Sequence, residues 1–258
     1  MKDFPLVLIH GYPFDHTMWY SAIASLGAQC KVLAPDLPGF GKTRVSPDAT
    51  PSLEFYADFI AATLDENRAD RAVVAGMSMG GYVALAFAEK YPQLLNGLGL
   101  ISTQTAADTP EARKGRKEAI QKIMANGPRV ASDALIPKAF AQPEPKNPDL
   151  KDYLIKGAEN AGADGLCWAL EAMAKRPDRT HVLSEIDVPI LIAHGTEDQI
   201  VPFKKMRDLA EECRKPIFVS IPNAGHATPL EAPDQIASAL ARLMNAARQQ
   251  ADAGNALP

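Results

Sequence analysis

The chain has 258 residues, 47% of them hydrophobic and 22% charged, with a formal net charge of −4 and a pI near 5.8. That size and balance suit one globular core with an insertion better than two separate domains. The acidic balance argues against a nucleic-acid partner, and no segment is apolar over the length of a membrane span.

The first apolar run, residues 6–9, is too short an apolar stretch for a signal peptide, so a cytoplasmic location is expected. It runs straight into His10-Gly11-Tyr12-Pro13-Phe14-Asp15. Gly11 permits a tight turn that aims the Tyr12 backbone N–H at the mouth of a sheet. A second run covers 31–34, and Asp36-Leu37-Pro38-Gly39-Phe40-Gly41-Lys42-Thr43 follows it. This stretch is glycine-rich. It lacks the four-residue gap of a phosphate loop and leads into no immediate helix, so it is expected to be a turn supporting a site. Helical spacing follows over 51–67, with Thr50 as N-cap and Pro51 at the first helical position.

Residues 72–75 form a third apolar run, followed by Gly76-Met77-Ser78-Met79-Gly80 and then by helical spacing over 80–90 that stops before Pro92. Strand, Gly-x-Ser-x-Gly and helix together spell a nucleophile elbow, a sharp turn that holds the serine hydroxyl outward. Without a Cβ at Gly76 or Gly80, the strand and helix backbones can nearly touch. The Met79 N–H would join that of Tyr12 as a second donor for a developing oxyanion. Residues 98–101 form the fourth run.

From 103 to 181 no strand is predicted. Helical pieces at 111–126, 129–140, 150–160 and 165–175 are separated by Pro and Gly, with 141–148 as the least regular connection. Runs at 190–193 and 217–221 resume the alternation, with helices at 203–214 and 229–247. The first of these runs leads to Asp198, where a strand-end carboxylate can orient an imidazole; Glu197 is the fallback acid. The second leads to His226 on a loop. His10 is expected to brace the oxyanion turn and His194 to end a buried strand, with His16 and His181 peripheral. The tail, 248–258, is expected to fray.

Continuous apolar runs separated by helices predict an α/β fold, a doubly wound, parallel sheet with helices on both faces. Residues 1–102 and 182–247 would form the core and 103–181 a helical cap. Cys30, Cys167 and Cys213 are odd in number and widely spaced, which suits reduced thiols rather than a disulfide or metal cluster.

Five segments, HGYPFDHTMW, DLPGFGKT, GMSMGGYVALAFAEKYP, VPILIAHGTEDQIVP and PNAGHATPLEAP, resemble the α/β-hydrolase family in order and spacing. Within it the chain is most similar to bacterial carboxylesterases, enol-lactonases and cofactor-free perhydrolases. The resemblance implies Ser78 as nucleophile, Asp198 as acid, His226 as base, and the Tyr12 and Met79 amides as oxyanion donors. It implies a carboxylesterase-like enzyme for esters or lactones of small to medium acyl compounds, with C–C bond hydrolysis, perhydrolysis or a slow-turnover receptor as alternatives. No metal or organic cofactor is expected. The chain departs from the family by lacking an opening antiparallel hairpin. Six parallel strands are therefore expected, with 31–34 at an edge open to a partner subunit, as monomer or homodimer. Phe140, Leu166, Trp168, Leu170 and Met173 are candidate pocket liners. The charged run Arg113-Lys114-Gly115-Arg116-Lys117 reads as a solvated helix face.

Overall fold

In a computed structural model that describes residues 4–46, 48–142, 147–214 and 216–254, each of the six apolar runs becomes a strand. They are β1 (Leu6–Ile9), β2 (Val32–Leu33), β3 (Ala72–Met77), β4 (Leu95–Ile101), β5 (Ile190–Gly195) and β6 (Pro216–Ile221). They pair in parallel in the order β2-β1-β3-β4-β5-β6, with Leu6 opposite Val32 on one side and Val73 on the other. Every residue of β1, β3, β4 and β5 is buried, because helices cover both faces and leave no polar side to alternate with.

Side chains of successive strand residues enter opposite layers. Val7, Ile9 and Val74 pack beneath α2 (Leu53–Glu66) and α3 (Met79–Lys90), while Leu6, Leu8, Val73 and Ala75 pack against α1 (Tyr20–Leu26) and the terminal helix. Helix α2 starts later than expected. Its N-cap is Ser52, whose Oγ accepts from the Phe55 amide at 3.1 Å, so Thr50 and Pro51 lie outside it.

The stretch without strands folds as α4 (Pro110–Asn126), α5 (Arg129–Ala139) and α6 (Asp149–Lys175), followed by short α7 (Val182–Glu185). The last two of the four expected pieces join in α6 across a kink at Gly162, where φ is 67° and ψ 176°. Of the irregular connection, residues 143–146 lie outside the described residues. Helices α8 (Phe203–Glu211), α9 (Thr228–Glu231) and α10 (Pro233–Gly254) complete the chain. The expected frayed tail is corrected up to Gly254: α10 continues, and Arg248 Nη2 donates to the Gln29 carbonyl at 2.8 Å. The rest of that tail, 255–258, lies outside the described residues. None of Cys30, Cys167 and Cys213 forms a disulfide among the described residues. No described helix is long and apolar enough to cross a membrane.

Candidate active site

Ser78 stands between β3 and α3 with φ 52° and ψ −115°. Hydrogen bonds to both its amide and its carbonyl hold this unusual backbone. The Ser78 amide donates to the Ile101 carbonyl at 2.9 Å, and the Ser78 carbonyl accepts from Thr103 Oγ1 at 2.7 Å and from the Gly81 amide at 2.9 Å. Glycine is needed on either side of the turn: a Cβ at Gly76 would overlap the Gly80 carbonyl, and one at Gly80 the Ile9 carbonyl.

The turn after β5 carries Asp198, and the loop after β6 carries His226. Asp198 Oδ1 accepts from the Ile200 and Val201 amides at 2.8 and 2.9 Å. Its Oδ2 lies 2.8 Å from His226 Nδ1, and His226 Nε2 lies 2.9 Å from Ser78 Oγ. An ionised carboxylate only accepts, so Nδ1 carries the ring proton and Nε2 is left to accept from the serine hydroxyl. Glu197, the fallback acid, is exposed, and its carboxylate accepts from Thr196 Oγ1 at 3.3 Å.

Helix α3 begins at Met79, so the Met79 amide has no partner within the helix. Among the described residues neither it nor the Tyr12 amide donates to another protein group. The turn that presents Tyr12 is pinned by His10, which is fully buried. His10 Nδ1 donates to the Gly11 carbonyl and Nε2 accepts from the Leu37 amide, both at 3.0 Å. Burial holds its pKa below the usual histidine value. The Asp36–Thr43 stretch therefore braces the site. Asp36 takes up the His16 amide and ring at 2.9 and 2.6 Å and the Lys42 amide at 3.3 Å. Asp15, His16 and Asp36 bring ligand-type atoms within 4.8 Å of one another, but these hydrogen bonds already occupy Asp36, and Asp15 caps the turn at Thr17.

His194 is fully buried one residue before the end of β5; its Nε2 donates to the Val201 carbonyl at 2.8 Å and lies 3.6 Å from Asp198 Oδ2. Burial lowers its pKa as well.

Sequence reasoning missed Glu231. Its two carboxylate oxygens accept from the Ala141 amide at 2.8 Å and from the Gly225 amide at 2.7 Å. With the Ala227 amide donating to the Ala139 carbonyl at 2.8 Å, it ties the end of α5 to the loop that carries His226. Burial raises the Glu231 pKa, against the two amide hydrogen bonds.

A cavity of about 110 Å³ opens beside Ser78 and His226, walled by Tyr12, Phe14, Tyr82, Arg116, Leu135, Ala139, Leu154, Met173 and Ile200. Of the expected liners only Met173 is in that wall. Leu166 and Leu170 sit in the core beneath the insertion, Trp168 packs on Phe55 and Tyr56, and Phe140 is fully buried, with its backbone against Gly225. The expected solvated face holds for Arg113, Lys114 and Lys117, which are exposed, and fails for Arg116, which turns inward. Arg116 Nε meets Asp108 Oδ2 at 2.5 Å, and Arg176 Nη1 meets Asp108 Oδ1 at 2.5 Å. Burial would raise the Asp108 pKa, but the two guanidinium groups outweigh it and hold the carboxyl low.

The sequence profile described as "Alpha/beta hydrolase family" matches residues 6–239. A thermophilic esterase from Thermogutta terrifontis, solved with malate bound, superposes with a TM-score of 0.90 at 33% identity, over 95% of this chain and 90% of that one. The pimeloyl-[acyl-carrier protein] methyl ester esterase of Neisseria meningitidis (strain FAM18) is 31% identical over 230 residues, 85% of each chain. The dihydrolipoyllysine-residue acetyltransferase component of the acetoin cleaving system of Pseudomonas putida is 30% identical over 235 residues, 90% of this chain; the match spans only 61% of that protein.

Proposed function

The chain belongs to the alpha/beta hydrolase family, and on that premise we propose that it cleaves carboxylic esters or lactones of small acyl compounds through a covalent ester on Ser78. The observation that carries this reading is the unbroken line from Asp198 Oδ2 to His226 to Ser78 Oγ, at 2.8 and 2.9 Å. His226 Nε2 takes the hydroxyl proton as Oγ attacks the carbonyl carbon, then delivers it to the departing alcohol. Asp198 fixes the ring tautomer and stabilises the imidazolium. Water, deprotonated by the same nitrogen, then releases the acid.

The Tyr12 and Met79 amides are the oxyanion donors, each worth about 3–4 kcal/mol of transition-state stabilisation. Residues 103–181 act as the cap that closes the acyl pocket, with Met173 in its wall. Release of 4-nitrophenol from 4-nitrophenyl acetate and butyrate tests the reading. The Ser78→Ala variant is expected to lose roughly 10⁴–10⁶-fold in kcat while keeping the parent melting temperature. Near-normal turnover in that variant refutes the assignment.

A further inference from the structure

We propose that the acyl pocket is built for a chain that ends in a carboxylate, with Arg116 as its anion-binding residue. This rests on the ester-cleaving reading of Ser78 and specifies its substrate class: hemiesters or lactones of short dicarboxylic acids.

Three observations carry it. Arg116 shares one cavity with Ser78 and His226, and it is the only cation in the described wall. The charges behind that wall do not balance. Arg116 and Arg176 both lean on the single carboxylate of Asp108, so the cluster keeps one surplus positive charge. Arg176 is buried and stacks on the Tyr82 ring at 4.1 Å, so the surplus cannot be relieved on its side by solvent.

On Arg116, whose side chain is 20% exposed, one donor is only weakly engaged. A guanidinium has five N–H groups in a fixed fork. Arg116 directs Nε and Nη2 at Asp108, at 2.5 and 3.4 Å. The partner of its Nη1 is the thioether of Met173 at 3.5 Å, a weak acceptor. A weakly engaged donor of this kind, in a wall that also holds Phe14, Leu135, Leu154 and Ile200, is satisfied best by an incoming anion.

Size agrees with the chemistry. A cavity of about 110 Å³ holds the liquid volume of roughly four waters, which suits a short chain of a few methylenes with a carboxylate at its end. The apolar residues take the methylenes and Arg116 takes the charge. Asp108 holds the guanidinium in place before substrate arrives, which lowers the ordering cost of binding.

The test compares mono-4-nitrophenyl glutarate with 4-nitrophenyl pentanoate, each corrected for uncatalysed release. The expected result is a kcat/KM for the charged ester at least tenfold above that for the neutral one. Arg116→Met is expected to cut this ratio roughly 10- to 100-fold, through KM more than kcat, as for a lost charge-assisted hydrogen bond. Arg116→Lys restores part of it. A purely structural role for Arg116 would move both esters together and leave the ratio unchanged, which overturns the proposal. Should Arg116→Met fail to fold, competitive inhibition of the parent enzyme decides: glutarate is expected to inhibit at least tenfold more strongly than pentanoate, and equal inhibition overturns the proposal. Cleavage of both esters at equal kcat/KM by the parent enzyme rejects this inference and leaves the Ser78 reading standing. Cleavage of neither rejects both.

Discussion

Replacing Asp198 by asparagine separates its two jobs. Oδ1 accepts two backbone amides, from Ile200 and Val201 at 2.8 and 2.9 Å, while Oδ2 faces His226 Nδ1 at 2.8 Å. In Asp198→Asn the amide oxygen must stay with the two backbone donors, since the reverse orientation would set an NH₂ group against two N–H groups. The NH₂ is thereby aimed at His226 Nδ1, which must become an acceptor. The ring proton moves to Nε2, and the atom 2.9 Å from Ser78 Oγ can no longer take the hydroxyl proton. A tautomer error of this kind costs about 10⁴-fold in kcat, or roughly 5.5 kcal/mol. The two amide bonds survive, so the melting temperature should hardly move. Asp198→Ala should lose a comparable rate and also stability, because two amides are orphaned at about 1–3 kcal/mol each. The assay is kcat on 4-nitrophenyl butyrate beside a thermal melt. An Asp198→Asn enzyme within tenfold of its parent would refute the argument, as would one that melts as low as Asp198→Ala.

Glu231→Ala removes the acceptor shared by the Ala141 and Gly225 amides; it is expected to lower kcat on 4-nitrophenyl butyrate at least tenfold by loosening the loop of His226, and an unchanged kcat would speak against the tie. The pH dependence of stability has a definite sign. His10 and His194 are both held below 6.5 by burial, so below pH 6.5 the unfolded chain binds more protons than the folded one. The stability of their neutral forms is present in full above pH 6.5 and is lost as the pH falls from there through the folded-state values. Urea midpoints should therefore drop between pH 7.5 and 5, with a shallower drop in His10→Asn; a flat profile in the parent counts against both histidines.

Strand positions were legible because parallel strands covered on both faces need unbroken apolar runs, and short runs such as residues 6–9 have no room for a helix. The limits of the strands were less legible. Strand β4 starts at Leu95 rather than at residue 98, although Asn96, Gly97 and Gly99 read locally as breakers. At Gly99 the reason is contact across the sheet: a Cβ there would stand 2.5 Å from the Ala75 Cβ. Ser78, Asp198 and His226 were singled out because each lies in a glycine-bearing segment after an apolar run and because they come in the chain order of the family's triad. Pocket lining left no such mark. Leu166, Leu170 and Trp168 satisfy the same hydrophobic pattern as Met173, and the direction in which each faces is decided by packing between α6 and elements far away in the chain. Arg116 was hidden in the same way, inside a run of basic residues whose other members are exposed.

The elbow shows why its motif needs both glycines and a serine between them. At φ 52° and ψ −115° a residue with a Cβ is strained by about 1–3 kcal/mol. Glycine at position 78 would relieve that strain and remove the proposed nucleophile. The surroundings hold the backbone instead: Ile101 anchors the Ser78 amide, and Thr103 and Gly81 anchor its carbonyl. Gly76 and Gly80 give up their side chains so that β3, α3 and β1 can close to backbone contact around the turn. That closeness sets Met79 at the start of α3, beside the loop that carries Tyr12. The strain at Ser78 and the unpartnered Met79 amide thus have one origin, a turn that closes β3 directly onto the first residue of α3. A looser turn would relieve the serine and carry the Met79 amide away with it, so the geometry proposed for catalysis and the local strain cannot be separated at this position.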